Sequence, residues 1–292
     1  MTPRHTFTVI LATGLFVALP GPSVAQSIDF GRGELPIHTP TSYEASTPAP
    51  LVILLHGYGS NGARHDRYMK FSTLVDEYGF FLVSPDGTEA TTERKPRFWN
   101  ASAACCNFAG STVDDSDYIM AIVDGMKARY PIDSDRVYLI GHSNGGFMSF
   151  RVAREHSDKI AAIVSLAGAA ASLDVPGPTS PVHILQIHGT DDETILYPGD
   201  DIGGTEYPGA VETVERWARY NDCDGEGSVM DEALDLDDAV DGAETVVTRF
   251  EDGCRPGGSA ELWTIQAGAH SPELSDRFAP EVMEWLLAHP KR

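Results

Sequence analysis

The stretch Gly141-His142-Ser143-Asn144-Gly145 has the spacing G-x-S-x-G, which suits a sharp strand-to-helix turn that holds one serine hydroxyl in a reactive pose. The apolar run RVYLI precedes it and the helix-forming run GGFMSFRVARE follows. The glycines have a steric reason. A serine in an unfavourable backbone conformation brings residues 141 and 145 into close approach, where side chains would collide. The hydroxyl is a weak nucleophile until a base takes its proton, and an imidazole does this near neutral pH when a carboxylate fixes its tautomer. Such a turn predicts an acid and then a histidine further along the chain, each after its own strand. Both are present: HGTDDETI follows VHILQI and offers Asp191 and Asp192, and AGAHSP follows ELWTIQ and offers His270. The chemistry these groups would perform together is acyl transfer.

Ten histidines compete for the role of base. His142 sits inside the turn, where its side chain is expected to point into the core. His56 and His188 end strands in HG pairs, where packing or loop bracing is the simpler role. His5 and His289 lie near the two ends. His270 alone combines a late position with a strand before it and a helix after it. Acyl transfer also needs donors for the developing oxyanion. The backbone N–H of Asn144, next after the serine, supplies one, and the early loop HGYGSNG supplies a second, assigned to Tyr58.

These residues need a frame. Six short apolar runs, PLVILLHG (50–57), FFLVSPDG (80–87), RVYLIGHS (136–143), IAAIVSLAG (160–168), VHILQIHG (182–189) and ELWTIQAG (261–268), read as strands buried on both faces. Segments 114–130, 209–221 and 273–290 carry helical spacing. The alternation predicts an α/β fold, a mostly parallel sheet with helices on both faces. Residues 1–25, with Arg4 before an apolar stretch and small residues at Ser23 and Ala25, read as a cleavable secretory signal. Residues 26–292 then read as a single catalytic domain, of a size that one core can serve, with no internal repeat.

A formal net charge of −22 leaves no basic footprint for phosphates, so no nucleic-acid partner is expected. The acidity reads first as solubility outside the cell, with adaptation to salt as a second reading. No membrane partner is expected either, and the chain reads as a monomer. Export favours disulfides over metal ligation for Cys105, Cys106, Cys223 and Cys254, since there is no CxxC pair. Cys223 with Cys254 is the easiest pairing to picture. Adjacent Cys105 and Cys106 read either as a strained bond, because a trans peptide sets their Cα atoms about 3.8 Å apart, or as two free thiols. Segment 231–250 concentrates acids without the spacing of an EF-hand and reads as a solvated acidic hairpin or loop. Asp114 and Asp115 read as helix caps.

From PLVILLHGYGSNG through FLVSPDGT, RFWNASAACCNF, VDDSDYI, RVYLIGHSNGGFMSFRVA, IAAIVSLAG and LQIHGTDDETILYPG to AGAHSP, the chain resembles the secreted esterase family that groups polyhydroxybutyrate depolymerases with feruloyl esterases. The resemblance covers most of the mature chain. It implies an α/β-hydrolase fold and assigns the triad acid to Asp192, the fifth residue of HGTxD, although Asp191 stands where the family usually has a small residue. It implies that Trp99 belongs to a loop bordering the active site, against the plainer reading of a core tryptophan, and it supports Cys223 with Cys254. The expected function is a secreted serine esterase that needs no metal or organic cofactor, acting on a small or oligomeric ester. Feruloyl or acetyl esters of plant polysaccharide come first, because no linker or polymer-binding module is seen in the sequence. Hydrolysis of polyhydroxybutyrate or its oligomers is the alternative. A peptidase of the same fold and a non-catalytic binding module are the more distant rivals.

Overall fold

The computed structural model describes residues 26–171 and 175–291, so the expected leader at residues 1–25 lies outside the described residues. One sheet of ten strands runs through the molecule. Its spatial order is β1 (Gln26–Asp29), β2 (Glu34–His38), β4 (Phe81–Val83), β3 (Ala49–Leu55), β7 (Ile132–His142), β8 (Ala162–Leu166), β9 (His183–Gly189), β14 (Ser259–Ile265), β13 (Thr245–Phe250) and β12 (Ser228–Val229). The six strands from β4 to β14 are parallel neighbours, while β1 and β2 on one flank and β13 and β12 on the other are antiparallel. The parallel six are the six apolar runs of the sequence.

The central strands bury both faces, and their side chains alternate between two cores. In β3, Leu51, Ile53 and Leu55 enter one core, and Val52 and Leu54 the other. Helices α3 (Asp115–Arg129), α4 (Asn144–Glu155) and α5 (Ala210–Tyr220) cover the first core through Ile119, Phe147, Met148, Val214 and Trp217. Helices α1 (Gly62–Met69), α2 (Val75–Tyr78) and α6 (Phe278–Ala288) cover the second through Met69, Val75, Phe278, Val282 and Met283. Two small antiparallel pairs, β5 (Thr88–Glu89) with β6 (Arg97–Phe98) and β10 (Gly199–Ile202) with β11 (Thr205–Pro208), stand apart from the sheet.

Three local readings need correction. The acidic segment is not simply solvated. Its last residues form β13, Leu236 is fully buried, and buried Asp237 and Glu244 accept hydrogen bonds from the N–H groups of Ala239, Glu273 and Leu236. Asp114 caps α3 by accepting from the N–H groups of Ser116 and Asp117, as read. Asp115 is no cap. It has no exposed surface, forms an ion pair with Arg32 at 2.6 Å, and accepts from the Thr88 hydroxyl and the Asn100 N–H. The third correction concerns the neighbouring cysteines, which are bonded to each other across a cis peptide rather than held apart by a trans one.

Cys223 and Cys254 form the other disulfide, across a sequence separation of 31 residues, and tie the end of α5 to the loop after β13. Closing a loop of that length removes chain entropy worth about 3 to 4 kcal/mol from the unfolded state. Replacing both cysteines by serine is expected to lower unfolding free energy by about that amount in urea titration. A double variant with an unchanged midpoint would show that the crosslink contributes nothing.

Candidate active site

Strand β7 ends at His142 and helix α4 begins at Asn144, so Ser143 alone makes the corner, with φ 54° and ψ −121°. For a residue with a side chain, this sparsely populated backbone costs about 1 to 3 kcal/mol and persists only where its surroundings fix it. They do so through hydrogen bonds from the Ser143 N–H to the Leu166 carbonyl, 2.8 Å, and from the Phe147 N–H to the Ser143 carbonyl, 3.0 Å. A Cβ at 141 would run into the Gly145 carbonyl, and one at 145 into the carbonyls of Leu55 and His56. Both glycines therefore have the steric role read from the sequence.

The structure brings the three candidate triad residues together from three different strand ends. His270, between β14 and α6, places Nε2 3.0 Å from the Ser143 hydroxyl oxygen and Nδ1 2.8 Å from Oδ2 of Asp192. Asp192 follows β9 and is buried, whereas Asp191 is exposed and its carboxylate accepts from the neighbouring Thr190 hydroxyl. Oδ1 of Asp192 accepts from the N–H groups of Thr194 and Ile195, both at 2.8 Å. Its Oδ2 also faces Nε2 of His188 at 3.1 Å. The Gln186 amide donates to Nδ1 of His188, so the proton of His188 sits on Nε2, between the Ile195 carbonyl at 2.7 Å and Asp192. Burial pushes the Asp192 carboxyl up, but the hydrogen bonds from His188 and His270, the His270 charge and the Ile195 N–H outweigh it and hold the group well below the usual carboxylate range. An ionised Asp192 fixes the His270 proton on Nδ1. Nε2 is left bare toward Ser143, as a general base requires.

The bracing role of His188 matches its reading from the sequence, but that it braces the acid itself was not part of that reading. The signal is its place four residues before Asp192 at the same strand end.

Of the two residues read as oxyanion donors, Asn144 follows Ser143 in the chain and Tyr58 lines the same cavity as Ser143. Asn144 opens α4, and a first helical N–H has no intrahelical acceptor. Among the described residues, none accepts from the Tyr58 N–H, while the next N–H, of Gly59, is taken by the Arg97 carbonyl. The loop carrying Tyr58 is braced by His56, whose Nε2 accepts from the Gly87 N–H at 2.9 Å and whose Nδ1 donates to the Gly57 carbonyl at 2.8 Å. Burial lowers the His56 pKa and favours the neutral ring that this pair of bonds needs.

Trp99, expected to border the site, has no exposed surface and cannot meet a substrate. Its indole N–H donates to the His56 carbonyl, its backbone N–H donates to the Asn144 side chain at 2.7 Å, and its carbonyl accepts from the same side chain at 2.9 Å. The plainer reading of a core tryptophan therefore holds, with the addition that it ties the segment carrying Asn144 to the loop that leads from His56 to Tyr58. Cys105 packs beneath the same amide, with its sulfur 3.8 Å from Nδ2 of Asn144. The aromatic surface at the site comes instead from Tyr58 and Phe108, 42% and 63% exposed, whose rings meet edge to face at 5.3 Å.

A cavity of about 440 Å³ opens over the triad, walled by Gly57, Tyr58, Tyr68, His142, Ser143 and His270. His142 is buried, as read, and also borders this cavity. A second hollow, of about 590 Å³, lies beyond Phe108 and includes Asn107, Arg154, Glu206 and Tyr207 in its lining. Among the described residues, no group of three or more His, Cys, Asp or Glu is arranged to hold a metal ion.

The sequence profile of the Phospholipase/Carboxylesterase family matches residues 40–198. The chain is 29% identical over 187 residues to the putative esterase NocK of Nocardia uniformis subsp. tsuyamanensis, an alignment that covers 60% of this chain and 52% of that protein. It is 26% identical over 279 residues to feruloyl esterase D of Neurospora crassa, covering 89% and 83%. The chain spans about half or less of the length of the first curated relatives it matches. Among solved structures, the acetyl xylan esterase from Aspergillus awamori superposes with a TM-score of 0.63 at 18% identity, over 89% of this chain and 98% of that one, which speaks for the fold alone. With the profile covering over half of its residues, from before β3 to beyond Asp192, the chain belongs to the phospholipase/carboxylesterase family of α/β-hydrolases.

Proposed function

We propose that this protein is a secreted serine esterase that hydrolyses carboxylic esters with Ser143, His270 and Asp192, its substrates being feruloyl or acetyl esters of plant polysaccharide. The observation that carries the reading is the relay from the Ser143 hydroxyl to Nε2 of His270 and from Nδ1 of His270 to a buried, ionised Asp192. The Ser143 oxygen attacks the ester carbonyl carbon while its proton passes to Nε2 of His270. The carbonyl π electrons move onto oxygen, which the N–H groups of Asn144 and Tyr58 receive. Collapse of this intermediate breaks the bond to the alcohol oxygen, and the leaving alkoxide takes the proton from His270. A water then loses its proton to the same Nε2 and attacks the acyl-serine, and the second collapse returns the proton to Ser143. Asp192 stays ionised throughout and stabilises the imidazolium formed in each half.

The substrate class is supported by the likeness to feruloyl esterase D and by the exposed Tyr58–Phe108 pair, of which Tyr58 lines the cavity beside Ser143, their rings suiting a planar acyl group or a sugar ring. Secretion rests on the leader-like first 25 residues and on two disulfides, which persist in oxidising compartments.

Ser143→Ala is expected to abolish hydrolysis of a short p-nitrophenyl ester and covalent labelling by a fluorophosphonate, with an unchanged melting temperature. Retained turnover would refute the mechanism. Asp192→Asn is expected to lower kcat by about 10⁴, because the amide favours the wrong tautomer of His270. A loss of less than about tenfold would move the acid's role elsewhere. In a parallel assay, methyl ferulate and acetylated xylan are expected to give higher kcat/KM than hydroxybutyrate oligomers. The reverse order would assign the site to polyester hydrolysis.

A further inference from the structure

We propose that His142 is a positioning residue, a neutral imidazole that locks the loop carrying the base and the loop carrying an oxyanion donor onto the serine turn. The inference rests on the triad reading above.

Nε2 of His142 lies 2.9 Å from the backbone carbonyl of His270 and 3.4 Å from the Ser271 hydroxyl. A carbonyl oxygen can only accept, so the proton of His142 is on Nε2 and points at the base-bearing loop. The Nδ1 edge faces the other loop: a Cβ added to Gly57 would lie 3.3 Å from that nitrogen, so the backbone just before Tyr58 runs against the ring. One face of His142 stacks on His65, at 5.4 Å between centroids and 12° between planes, while the rings of Tyr68 and His270 stand 5.7 and 5.1 Å away. Tyr68 donates its hydroxyl proton to the Pro272 carbonyl at 2.9 Å, a second tie from α1 to the base-bearing loop. One side chain therefore touches all three segments whose relative placement decides whether a proton can leave Ser143. Its own backbone continues into that serine.

Among the described residues, the titratable groups facing the ring are His65 and Tyr68 on α1 and His270 on the base loop. Asp192 and His188 act on it from further away. Burial, and then the charge of His270, push His142 down to about 4, and burial followed by His142 and His56 pushes His65 lower than its ordinary value. Both rings are therefore neutral where His270 works. A neutral neighbour is required, because a second cation beside His270 would oppose the imidazolium that the reaction must form.

The test compares His142→Leu, His142→Asn and His142→Gln in the full chain, using a p-nitrophenyl ester for turnover and a fluorophosphonate to count reactive sites. Leu keeps bulk without a donor, Asn holds its N–H too short of the His270 carbonyl, and Gln returns an N–H near the position of Nε2. The expected result is a fall in kcat per labelled site of about 10- to 100-fold for Leu and Asn, with KM within about twofold, and recovery of most of the loss by Gln. The rate of phosphonylation should fall in the same proportion while its end point stays at one label per chain. Unchanged kcat per labelled site in Leu or Asn would overturn the proposal, as would a Gln variant no better than Asn. If the Leu variant does not fold, the Asn and Gln pair decides. Absence of labelling at Ser143 in the unsubstituted protein would instead defeat the triad reading on which the proposal rests.

Discussion

The site depends first on a single backbone corner. Ser143 occupies a left-handed conformation that its side chain disfavours, and nothing in residues 141–146 alone would hold it there. The fixing comes from β8, through the Leu166 carbonyl, and from the end of β3, where the Leu55 and His56 carbonyls leave no room for a side chain at Gly145. The central parallel strands are thus a clamp on one pair of dihedral angles. Their full burial on both faces makes the clamp rigid, since a packed interior resists the small displacement that would relax the corner.

A second layer of residues sets proton positions. His56, His188 and His142 each carry a hydrogen bond to a carbonyl oxygen, and His56 and His188 each accept from an N–H through the other ring nitrogen, so the bonding fixes one neutral tautomer apiece. Each then braces a different part of the site: the loop carrying Tyr58, the Asp192 carboxylate and the loop carrying His270. Asp192 gathers two backbone donors and two imidazoles around one carboxylate, enough to keep it ionised in spite of burial. The three histidines stand at the ends of three different strands, and the bonding of each commits its proton away from Ser143.

The sequence displays the parallel strands because burial on both faces demands continuous apolar runs, and it displays Ser143, Asp192 and His270 because this fold requires their order along the chain. The flanking strands were not visible in that way. β1 buries only Ile28 among its four residues and β2 alternates over only five positions, and β13 is hidden in an acidic stretch whose charged groups draw attention away from TVVTRF. Contacts that join distant residues were also out of reach. Trp99 meets Asn144 across 45 positions, and His142 meets the His270 carbonyl across 128, so neither the bracing indole nor the place of the His142 ring follows from local spacing. Asp115 looked like a cap because its neighbour is one. Only the fold brings Arg32 to it from 83 residues away.

The antiparallel flank beyond β14 bears on how copies of this molecule meet. A sheet normally ends in a row of unpaired N–H and C=O groups that can recruit a strand from another chain. Here the last strand, β12, is two residues long with both side chains exposed, and β13 stands between it and the strand leading to His270. The rim offers a second copy little backbone to pair with, and the base-bearing strand is set two strands inward from any such encounter.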